Sequence, residues 1–93
     1  MAVIETHTFR LRAGADEEAF LQTDKLVQTA FIANQPGFVR RTTARGIDRE
    51  WIVIVLWRSD ADATAAAAVP HDSVAAFAGF TEAVATKRYT TLD

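Results

Sequence analysis

From residue 2 to residue 12 the chain alternates as a strand does. Val3, Glu5, His7, Phe9 and Leu11 fall on one face, and Ile4, Thr6, Thr8, Arg10 and Arg12 on the other. Gly14 ends the run. Asp16 is placed to cap a helix, with Glu17 and Glu18 in its positive first turn. Phe20, Asp24, Val27 and Phe31 then recur at helical spacing, so one helix is predicted from about 16 to 34, stopped by Pro36-Gly37. A hairpin follows. Phe38 to Arg45 is rich in Thr and Arg, Trp51 to Trp57 is continuously apolar, and Gly46 to Arg49 turns between them. Ser59 caps a second helix, with Asp62 as a capping-box partner and the alanine run Ala61 to Ala68 as its body. Pro70 breaks that helix. Asp72 or Ser73 restarts a helical segment carrying Val74, Phe77 and Phe80, and a last strand is predicted from about 83 to 91.

The order β-α-β-β-α-β predicts an α+β, ferredoxin-like fold in a single domain spanning residues 1–93. Two helices would lie on one face of a four-stranded antiparallel sheet, with the first and third strands central. The third strand carries a further implication. Trp51, Val53, Val55 and Trp57 occupy one face and Ile52, Ile54 and Leu56 the other, so both faces want burial. Two helices cover only one. A second copy packed sheet to sheet would cover the other, and a homodimer is expected.

Composition narrows the partners. The net charge is −2, which offers no field to hold nucleic acid. The absence of cysteine excludes disulfides, thiolate zinc sites and iron–sulfur clusters. The longest apolar run, Trp51 to Trp57 with Ile52 to Trp57 as its body, is far short of a membrane span, and the N-terminal residues do not read as a signal peptide. No membrane partner and a cytoplasmic location are therefore expected. Eighteen of the hydrophobic residues are alanine, leaving 28 larger apolar side chains. That number supports a compact core and predicts no large internal cavity within one chain, the alanines letting helix and sheet approach closely.

Candidate chemistry centres on His7 and Glu5, polar residues on the inward face of a central strand that need partners or a wet cavity. His7 could act as a general base on a phenolic or enolisable substrate. Asp24 interrupts the apolar helix face between Phe20 and Val27 and points toward the same sheet face, so an Asp24–His7 pair could form for catalysis. The plainer reading leaves Asp24 at the margin of the stripe, solvated or paired with Lys25 or Arg88. His71, after the break at Pro70, is a second candidate base, or else an exposed loop histidine. Trp51 and Trp57 could stack an aromatic substrate and otherwise serve the core, and Phe20 and Phe77 complete the expected pocket lining with Glu5. Arg40 and Arg41 point to opposite faces, so at most one could bind an anionic group; a solvated edge strand is the plainer reading of both. Glu5, His7, Asp24 and His71 show no metal-ligand spacing, and neither a metal nor any other cofactor is expected.

Several segments resemble the dimeric α/β-barrel superfamily, nearest to antibiotic-biosynthesis monooxygenase-like domains, over essentially the whole length. They are Leu11-Arg12-Ala13-Gly14, Glu18-Ala19-Phe20-Leu21, Gln35-Pro36-Gly37-Phe38-Val39, and Glu50-Trp51 through Trp57-Arg58-Ser59 with Ala61-Asp62-Ala63 following. The resemblance implies a pocket between helices and sheet, a dimer made by the opposite sheet faces, and a cofactor-independent oxygenase acting on an aromatic or polyketide-type substrate. It equally accommodates a polyketide cyclase that uses no oxygen, in which histidines resembling His7 and His71 serve, or a non-catalytic small-ligand-binding domain. The haem-degrading branch fits less well. His7 stands where that branch carries asparagine, and only alanines stand where its helix carries tryptophan.

Overall fold

The computed structural model describes residues 1–93. Strand β1 (Val3–Leu11) leads through Gly14, at φ +79°, into helix α1 (Glu17–Leu26). Asp16 caps α1 as its position requires, accepting from the Glu18 N–H at 3.0 Å. The helix does not run on uniformly to residue 34. A π turn (Val27–Phe31) and a 3-10 turn (Ile32–Asn34) follow it, and the π turn keeps Val27 and Phe31 both buried, with Phe31 against the His71 ring. Strands β2 (Phe38–Arg45) and β3 (Glu50–Trp57) form the hairpin, closed by the Gly46 N–H donating to the Glu50 carbonyl at 2.7 Å.

Helix α2 (Asp60–Ala67) starts on Ser59, whose hydroxyl accepts from the Asp62 N–H at 3.1 Å and donates to the Asp62 carboxylate at 2.9 Å. That carboxylate lies directly over Gly37. A side chain at Gly37 would collide with it, and the backbone there holds φ +81°, so this entry to β2 is open to glycine alone. Helix α3 (Asp72–Phe80) runs straight into strand β4 (Thr81–Thr90), which begins two residues earlier than the sequence pattern suggests. The β4 register slips against β1 between Thr8 and Arg10, where Ala83 holds φ +55°.

The sheet order is β2-β3-β1-β4, all antiparallel, with β1 and β3 central. This is the α+β ferredoxin-like architecture. Its helix-covered face buries Val3, Phe9, Trp51, Val53, Val55 and Trp57. The other face presents Ile4, Ile52, Ile54 and Leu56 without a covering layer, and Ile54 is 38% exposed. No helix is long and apolar enough to cross a membrane.

Candidate active site

The helix–sheet layer is filled at one end by aromatic rings. Phe20 is fully buried, edge-on to Trp51 with ring centres 5.1 Å apart, and it also meets Phe9, Phe77 and Phe80. Toward the other end lies a cavity of about 430 Å³, within the range of small-molecule sites. Its presence within one chain corrects the expectation from composition. Ala63 and Ala66 are buried under α2, but their side chains stop at one carbon and line the space instead of filling it.

Cross-strand register determines which residues share this cavity. On β1, Glu5 and His7 point inward beside Val3 and Phe9, as alternation requires. Glu5 is paired across the sheet with Val55 on one side and Arg88 on the other; His7 is paired with Val53 and Thr86. The central strand therefore brings two polar residues to an apolar floor, with partners arriving from the β4 edge.

Those partners satisfy both side chains. The His7 ring contacts the Glu5 carboxylate through Nε2 at 3.0 Å and the Thr86 hydroxyl through Nδ1 at 3.0 Å. A carboxylate only accepts, so Nε2 donates to Glu5 whether the ring is neutral or charged; in the neutral ring Nδ1 keeps a lone pair that accepts from Thr86, and in the charged ring it donates. The other Glu5 oxygen accepts from Arg88 Nε at 2.9 Å. Arg88 also donates through Nη1 to Asp60 at 3.0 Å and to Thr64 at 2.7 Å, which ties β4 to α2 at the rim. Burial pushes the Glu5 carboxyl up, but the hydrogen bonds and charges of His7 and Arg88 outweigh it and hold the group below the usual carboxylate range. The Asp60 hydrogen bond raises the Arg88 guanidinium above its ordinary value. The cluster thus holds an ionised glutamate against Nε2 of the imidazole and turns Nδ1 toward Thr86.

Asp24 does not meet His7. Its carboxylate accepts from Arg41 Nη2 at 2.7 Å and from the Thr43 hydroxyl at 2.9 Å, both on β2. The carboxylate oriented on His7 is Glu5, two residues away on the same strand. His71 is also elsewhere. It caps α3, its Nδ1 accepting from the Ser73 N–H at 3.1 Å, and its ring lies on Phe31 with centres 5.1 Å apart. That use of Nδ1 spends the lone pair a base would need.

Of the expected lining residues, Glu5, Trp57 and Phe77 face the cavity, whereas Phe20 and Trp51 belong to the packed aromatic end. The Trp57 Nε1 is the one enclosed side-chain polar atom without a partner. No three potential metal-ligating side chains gather anywhere. Three contributors escaped sequence reasoning: Thr86, Arg88 as partner of Glu5, and Arg41 as a buried group. Alternation alone places Thr86 and Arg88 on one face of β4, and the antiparallel register opposite β1 was the signal that could have found them.

No family model and no curated protein sequence matches the chain. Solved structures do. SnoaB, a cofactor-independent oxygenase from Streptomyces nogalater, superposes with a TM-score of 0.85 at 23% identity, covering 99% of this chain and 94% of that one. A candidate antibiotic biosynthesis monooxygenase from Chloroflexus aurantiacus J-10-fl gives 0.78 at 13% identity, covering 100% and 95%. Rv0793 from Mycobacterium tuberculosis gives 0.77 at 18% identity, covering 100% and 97%. The chain has the fold of the antibiotic-biosynthesis monooxygenase-like proteins over its whole length.

Proposed function

We propose that the chain is a small oxygenase needing no cofactor, which acts on a hydroxylated aromatic or polyketide-type substrate with His7 as general base. The observation that carries this reading is the His7–Glu5 pair at the polar edge of an otherwise apolar cavity. The fold shared with SnoaB, itself a cofactor-independent oxygenase, supports it.

A phenolic or enolisable substrate lying on Val53 and Val55 presents its acidic proton to His7 Nδ1, displacing the Thr86 hydroxyl or passing the proton through it. Glu5 fixes the ring and stabilises the imidazolium that forms. The deprotonated substrate is electron-rich and gives an electron to molecular oxygen directly. Recombination forms the carbon–oxygen bond, and at a ring methylene the second oxygen atom leaves as water, giving a carbonyl. The apolar walls keep bulk water from the intermediate.

Oxygen uptake with anthrone as substrate tests the reading. His7→Ala is expected to lower the rate at least 100-fold, the usual worth of a positioned base, with the fold retained by circular dichroism. An unchanged rate would remove His7 from the mechanism. Conversion of a polyketide-like substrate without oxygen uptake would indicate a cyclase with the same base.

The uncovered apolar face of β1 and β3 supports a homodimer packed sheet to sheet. Light scattering should give twice the chain mass at micromolar concentration, and Ile54→Lys should return it to one.

A further inference from the structure

A second charged group borders the same cavity. The Arg41 side chain is only 4% exposed although β2 is an edge strand. Its Nη2 donates to Asp24, and its guanidinium carbon lies 5.8 Å from the centre of the Phe77 ring. Nε and Nη1 donate to no protein group. Since the only sealed, unpartnered side-chain polar atom is Trp57 Nε1, these two donors still meet open space, in a residue that lines the cavity. Asp24 offsets the guanidinium's charge, so what Arg41 offers an anion is the pair of N–H directions that Asp24 leaves free, in a site with little competing water.

We propose that Arg41 receives a carboxylate of the substrate, so that the cavity takes an elongated aromatic acid. The proposal rests on reading the cavity as the substrate site. Register supplies the shape. Arg41 is paired with Val55, and Val55 with Glu5, so the Arg41 backbone lies two strands from β1, about 10 Å at the usual strand spacing. His7 stands one inward position along β1 from Glu5. Between the two polar ends the floor is Val53 and Val55. A substrate that loses its proton to His7 therefore carries its carboxylate at the far end of a flat apolar body. Two or more fused rings with a hydroxyl and a carboxylate at opposite ends meet that description. Asp24 holds the guanidinium through Nη2 and is itself fixed by the Thr43 hydroxyl.

Calorimetric titration with 6-hydroxy-2-naphthoate and with 2-naphthol, which lacks the carboxylate, tests the assignment. The wild-type protein is expected to bind the naphthoate about tenfold more tightly, a difference of about 1.4 kcal/mol. Arg41→Gln should reverse the order, because Arg88 is engaged by Glu5 and Asp60 and a carboxylate at the Val55–Phe77 end without the Arg41 cation costs more than a neutral phenol. Its affinity for 2-naphthol should stay within about threefold, a change of well under 1 kcal/mol. Arg41→Gln leaves Asp24 without its cation, so the double variant Arg41→Gln/Asp24→Asn is measured beside it and should show the same reversal. Equal binding of the two probes by wild type, binding of neither, or a naphthoate preference that survives in the double variant overturns the proposal. His7→Gln separates it from the oxygenase reading, since it should keep the naphthoate preference while losing anthrone-dependent oxygen uptake. Lost preference with intact His7-dependent uptake would refute Arg41 alone, and the converse would refute the oxygenase alone.

Discussion

At one end of the helix–sheet layer Phe20 is enclosed by Phe9, Trp51, Phe77 and Phe80; at the other, Val55 and Trp57 lie beneath Ala63 and Ala66, and the cavity opens beside them. Both ends lie between the same sheet and the same helical layer, so topology does not distinguish them. Side-chain volume does. Helix α1 sends a phenylalanine down onto the sheet, while α2 sends methyl groups, and the missing volume becomes the cavity. Phe77 belongs to both ends, closing the aromatic cluster on one side and walling the cavity on the other. Charge follows the same division. The polar groups of the inward sheet face collect where packing is loose, because Glu5, His7, Arg41 and Arg88 need partners and room that a filled core would not provide.

Three substitutions separate these ends. The largest effect belongs to the packed end. Phe20→Ala should cost about 3–5 kcal/mol of folding stability, read from chemical denaturation, since a fully buried ring is removed from a cluster that cannot close behind it. A loss near zero would mean that this end is as loosely filled as the other.

A smaller, pH-dependent effect is expected from Glu5→Gln. The folded-state pKa of Glu5 is held below the ordinary glutamate range, so its ion pairs contribute stability above that range and lose it as pH falls through the folded value. The stability gap between wild type and Glu5→Gln should be widest near neutrality and should shrink in acid. Urea denaturation at neutral pH, and again well below the carboxylate range, checks the sign. A gap that grows in acid would contradict the ionised glutamate on which the orientation of His7 depends.

The smallest stability effect should come from Ala66→Leu, which adds volume where there is space to take it. Folding stability should change by no more than about 1 kcal/mol, below the usual cost of overfilling a packed core. Anthrone turnover and naphthoate binding should nonetheless be lost. If Ala66→Leu instead destabilises as a packed core would, the hollow and solid ends are not physically different.

Much of the architecture was legible from local pattern. Period-2 alternation in β1, the caps at Asp16 and Ser59, the breaks at Pro36-Gly37 and Pro70, and the doubly apolar β3 were sufficient to predict element order and central strands. The site was legible only by half. His7 and Glu5 stood out because they are polar on a strand that has to be inward-facing. Asp24 and His71 stood out equally, yet nothing in their spacing could tell which partner each would meet. Asp24 meets an edge-strand arginine 17 positions further along the chain, a tertiary contact that no local spacing announces, and His71 lies at a helix start where an imidazole can serve as a cap. Arg41 reads as solvated in the sequence because an edge strand usually is. It is buried because α1 and α3 extend over β2 and bring Asp24 and Phe77 onto it.

The sequence by itself determined where the chain turns, which strand is apolar on both faces, and that His7 and Glu5 would share an inward face, since those follow from bond geometry and local solvation. Only the tertiary structure decided that Arg88 and Thr86 would complete the His7 cluster, that Asp24 would go to Arg41, and that the alanines of α2 would enclose a cavity. Each of those depends on cross-strand register and on the volume left between elements, and neither quantity is encoded at any single stretch of the chain.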